Sequence, residues 1–379
     1  MKKVLHVTNW YPNKWDNVEG IYVKEQFDVF SRVTDGRLLH VRVRNAPVLL
    51  KYEHVRYSEN EEGYYLLTRF TSFKIIEILT TLLLLWALMR TKYKQYDLLH
   101  FHIAYPLLIH YYLWKKWIKV PIVLSEHWTA YHFNFHMPKT TSKLDSIKRI
   151  FGQGIPLITV SKALLKDIQQ FSGHASFPTT VIPNIINKRF FRPIEFKKVR
   201  NAVPTFFIVN IWTDMKNPFP LLEACVELYK SGGAFHLKIG GYGVLLDSMK
   251  RFVEQNNMQN SITFLGKLNK EEIAKEYSLC DAYLFASKYE TFSVVCAEAL
   301  CSGTPLMGPN MEAVLEYTRP DDILVVEQNN SVGWVEALKR FVREEEHFNR
   351  EAIANKYRTY FSEAKIQNSY VDFISKFTR

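Results

Sequence analysis

At 379 residues the chain is longer than the roughly 250–300 residues that one hydrophobic core serves, so two domains are expected. A composition of 47% hydrophobic, 15% aromatic and 23% charged residues excludes disordered, collagenous and low-complexity classes. The formal charge of +11 lies almost wholly in residues 1–186, with 24 Lys and Arg against 14 Asp and Glu, while residues 187–379 hold 25 against 24, which turns the first half toward an anionic partner.

The opening KKVLHVT is an apolar run suited to a buried strand, too short and interrupted for a secretory leader. NWYPNKWDNVEG reads as a loop punctuated by Pro12 and Gly20, and IYVKEQFDVFSRV has helical spacing. The same alternation continues through LLHVRVR, an apolar helix at 75–89, YDLLHFH, a helix over YPLLIHYYLWKKW, VPIVLSE, PLITVS, KALLKDIQQF and TTVIPN. Strands alternating with helices predict a parallel sheet covered on both faces. The 75–89 segment is shorter than the ~20 residues of a membrane span, and Glu77 interrupts it. Two readings of it stay open. It is a buried helix with solvated ends, or an interfacial helix whose flanking Lys74, Arg90, Lys92 and Lys94 suit an anionic lipid surface.

Residues 182–204 are charged and broken by prolines, and read as a linker. Beyond them TFFIVNI, PFPLLEACVELYK, AFHLKIGG, VLLDSMKRFVEQ, SITFLG, KEEIAKEYSLC, DAYLFAS, SVVCAEALCSG, TPLMG, DILVVE and VGWVEALKRFVREEE restart the alternation, and two helices close the chain. Two doubly wound domains follow, and ligands of such sheets bind beyond the carboxyl ends of the strands. Cys225, Cys280, Cys296 and Cys301 are all in the second half. They form no disulfide framework and fit a reducing, cytoplasmic compartment.

Three stretches could carry chemistry. GGYG at 240–243 follows a strand and precedes a helix, so that Gly241 would let backbone N–H groups near an anion; a tight turn without ligand is the equal alternative. His100 and His102 share a strand face with His110 beyond, a zinc set by type, although buried histidines are the simpler account. In SKYETFSVVCAEALCSGTP, Glu290 falls in a strand-end loop and Glu298 in the helix that follows. The N–H groups of Phe292, Ser293 and Val294 would be helix-start donors for a phosphate or sugar oxygen. Ionised carboxylates beside an anionic ligand make sense as acceptors for hydroxyls, which points to a nucleotide-sugar. On spacing alone, a helix start decorated with Glu remains open beside this.

The last stretch resembles the signature of retaining glycosyltransferases of family 4, S-x-x-E-x-F-G-x-x-x-x-E-A-x-x-x-G-x-P. Glu290 and Glu298 fall on its acids, with Phe292, Gly303 and Pro305 also matching and Ser293 replacing a Gly. TNWYPNKWDNVEGIYVKEQ, LSEHWTAYH, LITVSKALLKDI, VIPNIINKRFF and FLGKLNKEEIAKEYSLCDAYLFAS extend the resemblance over nearly the whole chain. It implies the α/β GT-B fold, two Rossmann-like domains facing each other across a cleft. The boundaries would be 1–186 with 365–379 for the acceptor-side domain and 187–364 for the donor-binding domain. It also implies Gly20 at the helix facing the donor diphosphate, His127 near the donor sugar, Lys216 on phosphate, Glu290 on the sugar and Glu298 on the ribose. Ile211 stands where the family has a diphosphate-binding Arg.

The donor expected is a UDP-sugar or GDP-sugar, with no metal and no further cofactor. The acceptor is a glycan or lipid-linked glycan of bacterial surface polysaccharide, with an anionic membrane face as a further partner at the inner side of the cell membrane. Nucleic acid is not expected, since no nucleic-acid motif accompanies the charge. A nucleotide-sugar epimerase and a non-catalytic sugar-binding relative are the alternatives on the same architecture.

Overall fold

The computed structural model describes residues 1–138, 141–174, 177–191, 202–343 and 347–378. The chain divides into two compact units, residues 1–185 with 363–379, and residues 186–362. Of the stretch read as a linker, residues 192–201 lie outside the described residues.

The first unit runs β1 (Lys3–Thr8), α1 (Ile21–Phe30), β2 (Asp35–Asn45), β3 (Lys51–Arg56), β4 (Glu61–Thr68), α2 (Phe73–Arg90), β5 (Leu98–His102), α3 (Tyr111–Trp114), β6 (Ile122–Glu126), α4 (Ser142–Phe151), β7 (Leu157–Thr159), α5 (Lys162–Ser172) and β8 (Thr179–Val181). Its sheet has the order β3-β4-β2-β1-β5-β6-β7-β8, parallel except for β3, which runs antiparallel to β4. β5, β6 and β7 are buried throughout, as a sheet covered on both faces requires.

Two local expectations are corrected. Residues 51–68 form an antiparallel hairpin that the sequence did not reveal. β3 alternates exposed with half-buried residues, the pattern of an edge strand rather than a continuous apolar run. The helix expected over YPLLIHYYLWKKW shrinks to the four residues of α3. Residues 105–110 are taken up by turns instead, with Leu107, Leu108 and Ile109 all buried.

The second unit runs β9 (Thr205–Ile211), α6 (Pro218–Lys230), β10 (His236–Tyr242), α7 (Leu246–Gln255), β11 (Ile262–Gly266), α8 (Lys270–Leu279), β12 (Ala282–Leu284), α9 (Val294–Cys301), β13 (Leu306–Pro309), α10 (Glu312–Leu315), β14 (Ile323–Val326), α11 (Ser331–Val342) and α12 (Arg350–Tyr360). Its sheet is parallel, in the order β11-β10-β9-β12-β13-β14, the doubly wound order with a reversal between its first and fourth strands. Here the reversal falls between β9 and β12; in the first unit it falls between β1 and β5. The last helix, α13 (Glu363–Ile374), belongs to the first unit. There Ile366, Tyr370, Phe373 and Ile374 complete a core with Val4, Phe30, Leu98 and Val123.

Candidate functional site

In the second unit the strand reversal positions the site. Lys216 follows β9 and Glu290 follows β12, and these strands are neighbours. The Lys216 Nζ lies 2.6 Å from Glu290 Oε1, which also accepts from the Ser287 hydroxyl at 2.7 Å. The two loops are joined by the Lys288 N–H, which donates to the Met215 carbonyl at 2.8 Å. Residues 74 positions apart in sequence thus meet at one sheet edge.

Ser293 caps α9 with φ 64° and ψ 82°, so the serine adopts the left-handed backbone that a glycine would take there freely. Its hydroxyl donates to Cys296 Sγ at 3.2 Å. The Phe292 ring packs inward, 5.4 Å from Tyr317 and 5.8 Å from Phe361, and the Tyr317 hydroxyl donates to the Phe292 carbonyl at 3.1 Å. Phe292 therefore anchors the turn by its side chain. Val294 begins the helix proper.

Glu298 sits on the buried face of α9, only 1% exposed, with Lys270 Nζ 2.5 Å from its Oε1. Burial raises the Glu298 pKa, and Lys270 opposes that shift. Each signature carboxylate is held by its own lysine. Lys270 was not singled out from the sequence. It lies 28 residues from Glu298, and nothing in local spacing joins the two.

Gly241 has φ 108°, and a Cβ there would fall 1.8 Å from the Asn210 carbonyl oxygen. The backbone of β9 accounts for this glycine without a ligand. Ile211 ends β9 at 52% exposure. Lys288, in the loop after β12, is exposed.

In the first unit Gly20 precedes α1 with φ 63°, and a Cβ would lie 2.4 Å from the Trp10 carbonyl. His127 follows β6, buried, with Nδ1 3.2 Å from Asn184 Oδ1 and its ring 4.7 Å from that of Tyr22. Burial lowers its pKa to about 4 despite the Asn184 contact, so the imidazole is neutral near pH 7. Glu126, immediately before it, ties three segments together. Its Oε1 accepts from Ala104 N–H at 2.7 Å and from the Tyr131 hydroxyl at 2.5 Å, and its Oε2 accepts from His127 N–H at 3.2 Å. Burial pushes Glu126 up to about 7 against these bonds. Asn184 and Glu126 lie inside stretches quoted from the sequence (VIPN and LSEHW), but no spacing rule marks them. Gly20 and His127 belong to the first unit, and Lys216, Gly241, Glu290 and Glu298 to the second.

His110 does not join His100 and His102; its Nδ1 pairs with the Thr81 hydroxyl at 2.8 Å. The third member is His6. The three buried rings place one ligand atom each within 4.8 Å of one another, a set that could hold a metal ion. Here His6 Nδ1 and His102 Nε2 lie 3.0 Å apart, and His100 bonds the Tyr370 and Ser125 hydroxyls.

Two family models match. One, described as glycosyl transferases group 1, covers residues 191–359; the other, glycosyltransferase family 4, covers residues 39–190. An uncharacterized glycosyltransferase of Methanocaldococcus jannaschii is 26% identical over 47% of this chain and 49% of its own. The alpha-monoglucosyldiacylglycerol synthase of Streptococcus pneumoniae is 23% identical over 58% and 53%. The N-acetyl-alpha-D-glucosaminyl L-malate synthase of Bacillus anthracis is 22% identical over 73% and 75%. The match thus spans about half the length of the first two relatives. Among solved structures, the sucrose-phosphate synthase of Thermosynechococcus elongatus superposes with TM-score 0.74 at 15% identity, covering 99% of both chains. Anabaena HepE in complex with UDP and glucose gives 0.73 at 14% identity over 100% of both. The lipopolysaccharide outer core galactosyltransferase WaaB gives 0.70 at 12% identity over 99% of this chain and 100% of its own. These structures share the GT-B fold with the two Rossmann-like sheets described above.

Proposed function

The chain belongs to the family 4-type glycosyltransferases, and from that membership we propose that it moves a sugar from a nucleotide-diphosphate sugar to a hydroxyl acceptor with retained anomeric configuration. The observation that carries this reading is the Lys216–Glu290 pair beyond the neighbouring strands β9 and β12 at the sheet reversal, with Glu298 and its own lysine, Lys270, on the helices of the same unit. Ligands of doubly wound sheets bind at that place.

The difficult charges in such a transfer are the departing diphosphate and an oxocarbenium-like carbon. Lys216 and the N–H groups of Phe292, Ser293 and Val294 stabilise the first. Lys216 is neutralised by Glu290. When donor arrives, a phosphate oxygen takes the ammonium and Glu290 is released to accept from sugar hydroxyls. Glu298 does the same for the ribose. The acceptor hydroxyl attacks the anomeric carbon on the face that the phosphate leaves. The new C–O bond forms as the old one breaks, and the hydroxyl proton passes to the departing phosphate oxygen. His127, neutral at working pH, orients the sugar or acceptor. The donor is a UDP-sugar or GDP-sugar. The acceptor is a glycan or lipid-linked glycan of bacterial surface polysaccharide, a class supported by HepE with UDP and glucose and by the lipopolysaccharide galactosyltransferase among the neighbours. Four buried, unbridged cysteines support work in a reducing, cytoplasmic compartment.

Glu290→Gln should reduce turnover by about 100-fold or more while leaving the melting temperature within a few degrees of the parent. Unchanged turnover in the purified variant would defeat the assignment. The exposed Ile211 favours a second reading, a relative that binds donor without transferring it. An assay with a panel of nucleotide-sugars that scores binding, hydrolysis and transfer separately distinguishes the two.

A further inference from the structure

Three buried imidazoles of the first unit take no part in the proposed transfer. β1 pairs with β5 in parallel, with His6 opposite His100 and Thr8 opposite His102. Alternate residues of a strand share a face, so His6, His100 and His102 stand together on one side of the central strands. All three are fully buried. Helices α1 and α13 close that face: the Phe27 ring meets His6 edge-on at 5.2 Å, and the Tyr370 ring stacks on His100 at 5.4 Å.

The cluster is short of partners. His6 Nδ1 and His102 Nε2 face each other at 3.0 Å. The other nitrogen of each ring, His6 Nε2 and His102 Nδ1, is buried without a hydrogen-bond partner among the described residues. A neutral imidazole has one N–H and one lone pair. Whichever ring donates across the 3.0 Å contact, one N–H and one lone pair are left over. Buried polar groups nearly always find a partner, and two leftovers in one cluster point to a ligand. His100 is the anchored member. Its Nδ1 lies 3.0 Å from the Tyr370 hydroxyl and its Nε2 2.7 Å from the Ser125 hydroxyl. When one of these nitrogens turns to an ion, the hydroxyl on the other holds the ring, as the outer partners of metal-ligating histidines do.

One nitrogen from each ring lies within 4.8 Å of the others. Nitrogens bound to one ion at ~2.0 Å stand roughly 3.3–3.5 Å apart, so ring movements of about 1 Å close the set. Imidazole suits both zinc and copper, and charge decides between them. Among the described residues the histidines that pair with carboxylates are His54 and His132; no carboxylate pairs with His6, His100 or His102. The cost of burying an ion rises with the square of its charge. Three neutral rings with no anion therefore favour the monovalent ion, Cu(I), over Zn(II).

We propose that His6, His100 and His102 bind one Cu(I) ion through one nitrogen each, linking β1 to β5 beneath α13. The site is independent of sugar transfer: a chain that holds Cu(I) and moves no sugar keeps it, and a chain that moves sugar and never holds Cu(I) loses it.

The test uses the full chain and Cu(I) held reduced by ascorbate without oxygen. Because α1 and α13 seal the rings, the ion is supplied during expression as well as to the purified, chelator-treated chain. Equilibrium dialysis should retain one Cu(I) per chain. X-ray absorption should show three nitrogen neighbours at roughly 2.0 Å and no sulfur neighbour. Saturation should raise the melting temperature by about 5 °C or more. His6→Leu and His102→Leu should each abolish both the retained ion and the shift, whereas His110→Gln, outside the cluster, should keep them. Circular dichroism matching that of the metal-free parent shows that the variants are folded. Should either leucine variant fail to fold, Ser125→Ala with Tyr370→Phe leaves all three rings in place and should weaken Cu(I) binding by about 10-fold or more. No retained Cu(I), a sulfur neighbour, or undiminished binding by these variants overturns the site and leaves buried histidines alone. Zn(II) retained in preference to Cu(I) when both are supplied overturns the choice of ion.

Discussion

Ser293 shows how far one residue can depart from a pattern without changing the geometry. It holds φ 64°, a conformation that costs a residue with a Cβ roughly 1–2 kcal/mol. The identity of the residue was evident in the sequence; that it would still take the left-handed turn was not, because the surrounding structure imposes it. Part of the strain is balanced by the smaller unfolded-chain entropy of serine relative to glycine. Ser293→Gly is therefore expected to stabilise by about 0.5 kcal/mol. Differential scanning calorimetry should record a rise of roughly 1–2 °C; a fall would mean that the turn is not strained. The positions of Glu290 and Glu298 were legible for a related reason, since strand, loop and helix start are local features. Lys270 was not, because its ion pair with Glu298 depends on how α8 packs beside α9.

At the scale of elements, the alternation of apolar runs predicted most of the two parallel sheets, because strands buried on both faces declare themselves as continuous hydrophobic stretches. The β3–β4 hairpin escaped because an edge strand faces water and carries Lys51, Glu53, His54 and Arg56. α3 was overestimated because an apolar segment looks the same to a periodicity search whether it coils or turns. The helix ends are better defined. Asn269 caps α8 by accepting from Glu272 N–H at 3.0 Å, and the Glu272 carboxylate accepts from Asn269 N–H at 2.7 Å. This reciprocal box fixes the first turn of α8, where Lys270 begins the helix. Asn269→Ala should cost about 1 kcal/mol of stability. It should also weaken donor binding more than the same substitution at Asn349, which caps α12 by accepting from Ala352 N–H. Equal effects of the two on nucleotide affinity would separate the cap from the Glu298 site.

For the molecule as a whole, the first unit is loaded with neutral imidazole. Burial lowers His6 and His40 to about 3, His127 to about 4, and His100 and His102 well below the ordinary value. An unfolded imidazole binds its proton near pH 6.5, so each of these groups favours the unfolded chain once the pH drops below that point. Stability is whole above pH 6.5 and declines as the pH falls toward 3–4, by about 1.4 kcal/mol per pH unit for each group. Glu126 runs the other way. Its folded value near 7 against an ordinary 4.5 favours the fold below pH 4.5, and that contribution is lost as the pH rises through 7. Glu298, also raised by burial, adds to Glu126, so between pH 4.5 and 6.5 unfolding should take up a net of about three to four protons, read from the slope of denaturant stability against pH. A slope of one proton or less would remove the buried histidines as the cause.

The return of α13 to the first unit has a consequence in time. The core that Val4, Phe30 and Leu98 begin is completed by Tyr370 and Phe373, and the Phe30 and Tyr370 rings stack at 3.8 Å. Everything from residue 186 to residue 362 must be translated before those partners leave the ribosome. At about 5–20 residues per second, the nascent first unit waits roughly 10–40 s with that strip of its core open to water. The second unit, continuous in sequence, can close during the wait. The part of the chain made first is thus the last to finish folding, and it depends on whatever shields the open strip in the interval.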